Sequence, residues 1–399
     1  MGTHKRIEVA DAIRGIAVAM ILMLHAIEHF NLYNQPVPDS PCLQFIDQMV
    51  WDSLWFVIGG KAYAIFALLF GFSFHIMLMH ARERGDDFRL RFLWRMVLLF
   101  LFGNLNAAFF CGEVLVLYSL VGLIMPFICN LRTRTVLVLA AMCLLQPIEW
   151  VKMGLAFVAP EKLGIFDFPY GEHWMQAMKM LAEGSFLETV CANLWHGQIF
   201  SLAWAWGAGR FFQTAGLFML GMVAGRMDAF SLTQRNTRLW GYIFIGSLML
   251  YFPLTGLGSL LPLFVGGIDG ESLRASCIGF LANDAFRGSL LSVFGSLQRF
   301  FFMLMIVCTL LFAFYYTPVQ HVMRWLMPYG RMSLTNYVTQ SIIGSFLFYH
   351  WGLHLVWCDT WSELLCLGVL LLQVAFCTWW MARHKRGPLE GIWHRLTYL

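Results

Sequence analysis

Near the start of the chain, Asp11-Ala-Ile-Arg14-Gly15 leads into an apolar run that ends His25-Ala-Ile-Glu28-His29. Arg14 and His25 are eleven residues apart, about three turns and roughly 16 Å of helix, so they share one face. Histidine is the usual general base for a hydroxyl or amine proton, and a carboxylate one turn away orients its ring. Glu28 and His29 stand at that spacing from His25. A histidine satisfied structurally between helices is the competing reading.

Three further groups can do chemistry. Lys61 follows Gly59-Gly60 and precedes the aromatic run Tyr63 to Phe70; it either serves a site or snorkels to an interface. Glu113 sits in the tight turn Cys111-Gly112-Glu113, where a carboxylate either caps the next helix or pairs with Lys61. The stretch Arg331 to Ser341 places Ser333, Asn336, Tyr337 and Gln340 at i, i+3, i+4 and i+7, one hydrogen-bonding stripe that either binds a polar ligand or joins helices. Arg331 at its start suits a phosphate, and Tyr349, His350 and His354 lie near its far end.

The elements that carry these groups are membrane helices. Of 399 residues, 59% are hydrophobic and 13% charged, about half the charge of a soluble domain. Apolar stretches near 12–30, 52–80, 91–110, 113–130, 135–157, 208–226, 238–257, 290–316, 332–353 and 361–382 predict an all-α integral membrane bundle of about ten spans. An ionisable side chain inside such a span is costly, which makes each of them a functional candidate.

Basic residues fall in alternate connections: Lys5 and Arg6; Arg82, Arg84, Arg89 and Arg91; Arg132 and Arg134; Arg226, Arg235 and Arg238; Arg324 and Arg331; Arg383, Lys385 and Arg386. That alternation predicts both termini in the cytoplasm. The first apolar segment, carrying Arg14, His25 and Glu28, is expected to be a retained helix rather than a cleaved leader. The segment 159–207 alternates aromatic and polar residues and is expected to lie at the outer interface. Residues 1–399 then form a single polytopic domain.

The same topology puts Cys42, Cys111, Cys191, Cys277 and Cys358 near the outer face, where bridges can persist. No Cys or His spacing suits a metal, and the small net charge of +4, spread over short clusters, argues against nucleic acid.

Several of these residues resemble the YeiB-like membrane proteins, a family carrying a domain of unassigned function. The block Tyr329-Gly330-Arg331-Met332-Ser333-Leu334-Thr335-Asn336-Tyr337, the tail Gly387-Pro388-Leu389-Glu390 and Lys61 with Phe66-Ala67-Leu68-Leu69-Phe70-Gly71 are similar to its motifs. Two positions depart: Glu113 replaces the family's aspartate, and His25 replaces its usual asparagine. Arg14 and His25 in turn resemble the first-helix signature of membrane acyltransferases that modify surface sugars.

Together these resemblances imply a ten-helix acyltransferase-like core in a bacterial cytoplasmic membrane. Acyl-CoA, most simply acetyl-CoA, would be the donor and no metal would be needed. Arg14 and Arg331 would hold its phosphates, and His25, Glu28 and Lys61 would act on an extracytoplasmic hydroxyl or amine of a sugar or glycolipid. Glu113, Asn336, Gln340 and His350 would contact that acceptor. Membrane lipids are the other expected partners; the oligomeric state stays open, a homodimer being one option. The alternatives are a transporter or flippase for a small or lipid-linked solute, with His25 and Glu28 as a proton relay, and a non-catalytic membrane scaffold.

Overall fold

The computed structural model describes residues 7–30, 36–267, 272 and 278–398. Lys5, Arg6 and Cys277, and the side chain of His29, lie outside the described residues. The chain is all-helical, with 81% of it in helix and no strand among the described residues. A chain in hydrocarbon must satisfy its backbone within each segment, and helices do so.

The helices are α1 (Glu8–His25), α2 (Pro41–Val57), α3 (Ala62–Glu83), α4 (Phe88–Ala107), α5 (Leu115–Gly122), α6 (Met125–Ile128), α7 (Thr133–Leu144) and α8 (Pro147–Val158). Then come α9 (Gly171–Glu183), α10 (Phe186–Ala192), α11 (Gln198–Gly207), α12 (Arg210–Arg226), α13 (Gln234–Gly266) and α14 (Asp284–Tyr316). The last are α15 (Gln320–Trp325), α16 (Met327–Arg331), α17 (Ser333–Phe348), α18 (Asp359–Met381) and α19 (Pro388–Thr397). All ten expected apolar segments fall on helix.

Five helical stretches are long and apolar enough to cross a bilayer: Glu8–Glu28, Pro41–Glu83, Gln234–Leu263, Asp284–Tyr316 and Asp359–Met381. A sixth is the pair α7 and α8, bent by 51° at Gln146, which takes a left-handed φ of 58° ahead of Pro147. The other expected spans differ for physical reasons. The stretch 113–130 breaks between α5 and α6, ahead of Pro126. Helices α12 and α17 have 17 and 16 residues, about 25 Å of rise against a hydrocarbon core of roughly 30 Å. Helix α4 carries Arg89, Arg91 and Arg95.

Burial orders the bundle. In the apolar window of Glu8–Glu28, 67% of residues are buried, against 11% for Gln234–Leu263 and 17% for Asp359–Met381. Helix α1 is therefore the axis, and α13 and α18 stand at the periphery. Around α1, helix α3 packs on α12, α4 on α5, α13 on α14, and α16 directly on α1.

Two glycine contacts set how closely these helices approach. Gly15 of α1 faces the Leu326 carbonyl, and Gly330 of α16 faces the Asp11 carbonyl and the Gly15 amide, so a Cβ at either position would collide with backbone. Gly71 of α3 and Gly221 of α12 meet the Phe218 and Leu68 carbonyls in the same way. Small residues at such crossings permit close packing where lipid supplies no hydrophobic drive.

The first residues of α17 are held from a distant helix. Glu390 of α19 accepts from the amides of Leu334 (2.8 Å) and Thr335 (3.1 Å) and from the Thr335 hydroxyl (2.6 Å). A carboxylate there satisfies orphan donors and favours the positive helix end. Two of the motifs quoted above, Gly330 to Tyr337 and Gly387 to Glu390, thus meet at one junction.

Two stability outcomes are expected in detergent. Gly330→Ala or Gly71→Ala should cost about 1–3 kcal/mol through overpacking, while Gly154→Ala, with open space at its Cβ, should leave the melting temperature unchanged. Glu390→Ala should cost about 0.5–2 kcal/mol, the range for a lost cap. Thermal melting followed by size-exclusion chromatography measures all four.

Candidate functional site

Helix α1 ends at His25 and continues as a π-helical turn, Ala26–Phe30, a wide turn often found at functional positions. It places His25 and Glu28 in the wall of a cavity of about 370 Å³. Glu113, Arg210, Tyr63, Ser201 and Tyr337 also line it. His25 is buried in an aromatic box, with Phe110 at 4.3 Å, Phe30 at 5.8 Å and Tyr337 at 6.1 Å between ring centroids.

Of the two roles its sequence allows, Glu113 takes the cap and does not pair with Lys61, whose ammonium is held on α2. Its carboxylate accepts from the Asn106 side chain and from the Leu115 amide at the start of α5. The same residue faces the cavity, and its carbonyl accepts from the Ser201 hydroxyl at 2.9 Å.

A second cavity, of about 220 Å³, lies further back along α1 and is lined by Arg14, Ser73, Arg95, Arg331, Glu390 and Trp393. Arg14 is held at 2.9 Å by Asp11 of its own helix and donates to the Ser73 hydroxyl of α3 at 2.8 Å. Arg331 reaches the Lys385 carbonyl at 3.4 Å. Arg95 is buried, stacks its guanidinium 4.0 Å from the Trp393 ring centroid and donates to Thr397 at 3.1 Å. Tyr337 lines both cavities; its buried hydroxyl has no hydrogen-bond partner among the described residues.

Other candidates lie elsewhere. The Lys61 ammonium turns back onto the last turn of α2, donating to the carbonyls of Phe56 (2.6 Å) and Trp55 (3.3 Å), as cations do at helix C-termini. It also packs 5.1 Å from the Phe302 ring. Gly60 and Ala62 face the His25 cavity in its place. Asn336 donates to the Tyr329 carbonyl at 2.9 Å and accepts from Cys377 at 3.3 Å. Gln340 donates to the Tyr329 hydroxyl at 2.5 Å, which donates in turn to Gln373 at 3.2 Å.

Asn336 and Gln340 therefore join α16, α17 and α18, and of the stripe on α17 Ser333 and Tyr337 line the two cavities described. His350 is exposed beyond α17, its ring 5.1 Å from His354 and its amide on the Leu181 carbonyl at 3.1 Å. The cysteines expected at the outer face divide: Cys42 and Cys191 are exposed, Cys111 and Cys358 buried, and all four are unbridged.

Sequence reasoning missed Arg95, Arg210 and Arg299. Arg95 is four residues from Arg91 and merges into a basic helix end, and Arg210 opens its helix. Arg299 stands midway along an apolar stretch, the signal that had singled out Arg14.

Residues 224–399 match the family described as "Protein of unknown function (DUF418)". Over the whole chain the protein is 25% identical to "Uncharacterized protein YxaH" of Bacillus subtilis, covering 100% of this chain and 95% of that one. It is 24% identical to an "Uncharacterized 39.9 kDa protein in amylase 3'region" of Bacillus acidopullulyticus, covering 99% and 94%. To "Uncharacterized protein YeiB" of Escherichia coli it is 26% identical, covering 97% and 95%. No solved structure matches it. The chain is thus similar to these uncharacterised proteins over nearly its whole length and matches the DUF418 family over residues 224–399, the part that carries the motifs on α16, α17 and α19.

Proposed function

We propose that the protein is a transmembrane acyltransferase that moves an acyl group, in the simplest case acetyl, from cytoplasmic acyl-CoA to an extracytoplasmic hydroxyl or amine. The observation that carries this reading is the pair of cavities along α1. One holds a histidine and two carboxylates, the other three arginines, and Tyr337 is their common wall.

In this reading all ten helical segments cross, the shorter ones inside the bundle, and both termini are cytoplasmic in a bacterial inner membrane. The pairing of basic helix ends supports a single basic face: Arg82 with Asn130, Arg226 with the Cys129 and Leu131 carbonyls, and Arg324 with Glu8. The arginine cavity opens towards that face and takes the donor's phosphates on Arg14 and Arg331, with Arg95 beside them. Arginine forks suit phosphate oxygens.

The acyl-pantetheine arm then passes Tyr337 to bring its thioester beside His25. His25 takes the proton of the acceptor, whose oxygen or nitrogen attacks the thioester carbon. The tetrahedral intermediate collapses with loss of the CoA thiolate, which recovers the proton from the imidazolium. Glu28 steadies the ring, and Tyr337 takes the oxyanion role, because the donors of Lys61, Asn336 and Gln340 are engaged elsewhere. Such donors are each worth a few kcal/mol in a site closed to water.

Two measurements test the proposal in nanodiscs. Calorimetric binding of acetyl-CoA should be saturable, and Arg14→Ala and Arg331→Ala should each weaken it about 10- to 100-fold, the worth of a charge-assisted hydrogen bond. Absence of binding by folded wild type would favour a transporter. His25→Ala should bind acetyl-CoA normally yet lose about 10²–10⁴-fold in transfer or hydrolysis; unchanged turnover would remove His25 from the chemistry.

A further inference from the structure

Beside the His25 cavity, two arginine side chains from two helices close on one glycine, and a lysine follows it in the chain. Gly60 has a positive φ of 73°, and a Cβ placed on it would lie 2.9 Å from Cδ of Arg299 and 3.2 Å from Nη2 of Arg210. Lys61 is the next residue in the chain. Like charges drawn together away from bulk water repel strongly, and a fold bears that cost where an anion completes the set.

Their surroundings supply little compensation. Lys61 has two carbonyls of α2 and the faces of Phe302 and Phe56, none of them charged. Arg210 lies over the rings of Tyr63 (4.3 Å) and Trp204 (5.3 Å) and has one weak contact to Gln213, at 3.4 Å. The Nε atoms of both Arg210 and Arg299 are buried without a hydrogen-bond partner. Among the described residues none of the three cations forms an ion pair.

Space for a ligand exists on both sides. Arg210 faces the His25 cavity, and Arg299 faces a neighbouring cavity of about 400 Å³ with Gln146, Glu149, Ser292 and Gly209. The carboxylates in reach are otherwise engaged or placed: Glu149 pairs with Lys152 at 3.2 Å, Glu113 accepts from Asn106 and the α5 amide, and Glu28 lies at the α1 end of the His25 cavity.

We infer that Lys61, Arg210 and Arg299 form a receptor for a phosphate group carried by the molecule that enters the His25 cavity, a phosphorylated sugar or a phospholipid headgroup. Two arginine forks suit the oxygens of a phosphate, and the Lys61 ammonium, held on the α2 carbonyls, adds positive charge behind them. The inference rests on the acyl-transfer reading only in calling that molecule the acceptor; the anion site itself does not depend on it.

The test is calorimetric titration of the full chain in phosphatidylcholine nanodiscs with glucosamine 6-phosphate and with glucosamine. The phosphorylated sugar should bind at least about tenfold tighter, one charge-assisted contact's worth. That advantage should vanish in Arg299→Met and in Arg210→Gln, fall partway in Arg299→Lys, and persist in Arg331→Ala. Melting and size-exclusion profiles identify folded variants, and either neutral substitution suffices if the other does not fold.

Repeating the titration in phosphatidylglycerol nanodiscs separates the two sources. Suppression there that depends on Arg299 assigns the site to a lipid headgroup; its absence assigns it to a soluble phosphate. Equal affinity for the two sugars together with no lipid effect would overturn the site, as would an advantage that survives both neutral variants or is lost with Arg331. Separate acetyl-CoA titrations keep the failure of donor binding distinct from failure of this site.

Discussion

The arrangement rests on one backbone contact. Gly15 and Gly330 let α1 and α16 touch main chain to main chain, with the Leu326 and Asp11 carbonyls where side chains would otherwise stand. Each glycine is followed or preceded by an arginine, so the same contact brings Arg14 and Arg331 to one cavity. The approach also fixes where α17 begins. From that start Tyr337 reaches the wall between the two cavities, and Asn336 and Gln340 turn to Tyr329 and away from them. In hydrocarbon the contact has no rival in hydrophobic burial, because lipid tails are as apolar as the side chains they replace.

Much of this was legible in sequence because a charge in an apolar run is a local signal. Arg14, His25, Glu28, Glu113 and Arg331 were readable on that basis, and each faces one of the two cavities. The all-helical architecture and its five long apolar stretches, with the bent pair α7 and α8, were readable from apolar length. The breaks were not, since the left-handed Gln146 and the division of α5 from α6 depend on packing rather than on hydropathy.

What the sequence hid were partners. The stripe Ser333, Asn336, Tyr337 and Gln340 is one face only to within the width of a helix surface, and the residues that claim Asn336 and Gln340 come from other segments, Tyr329, Cys377 and Gln373. Lys61 was chosen for its charge, yet the carbonyls that receive it lie a few residues back on α2 and become available only because the chain turns at Gly60. Arg210 escaped notice because it opens its helix, whereas Arg299, midway along an apolar stretch, carried the same local signal as Arg14 and was passed over.

Arg95 carries a further implication for how the protein is made. Its hydroxyl partner, Thr397, follows it by 302 residues, and Trp393, on which its guanidinium stacks, is nearly as distant. Until α19 has been made and packed on α4, Arg95 lacks both the ring and the hydroxyl that cover it. Completion of the arginine cavity is thus a late event in biogenesis, and a chain arrested before α19 holds most of its helices but not the wall that Glu390 and Trp393 give this cavity.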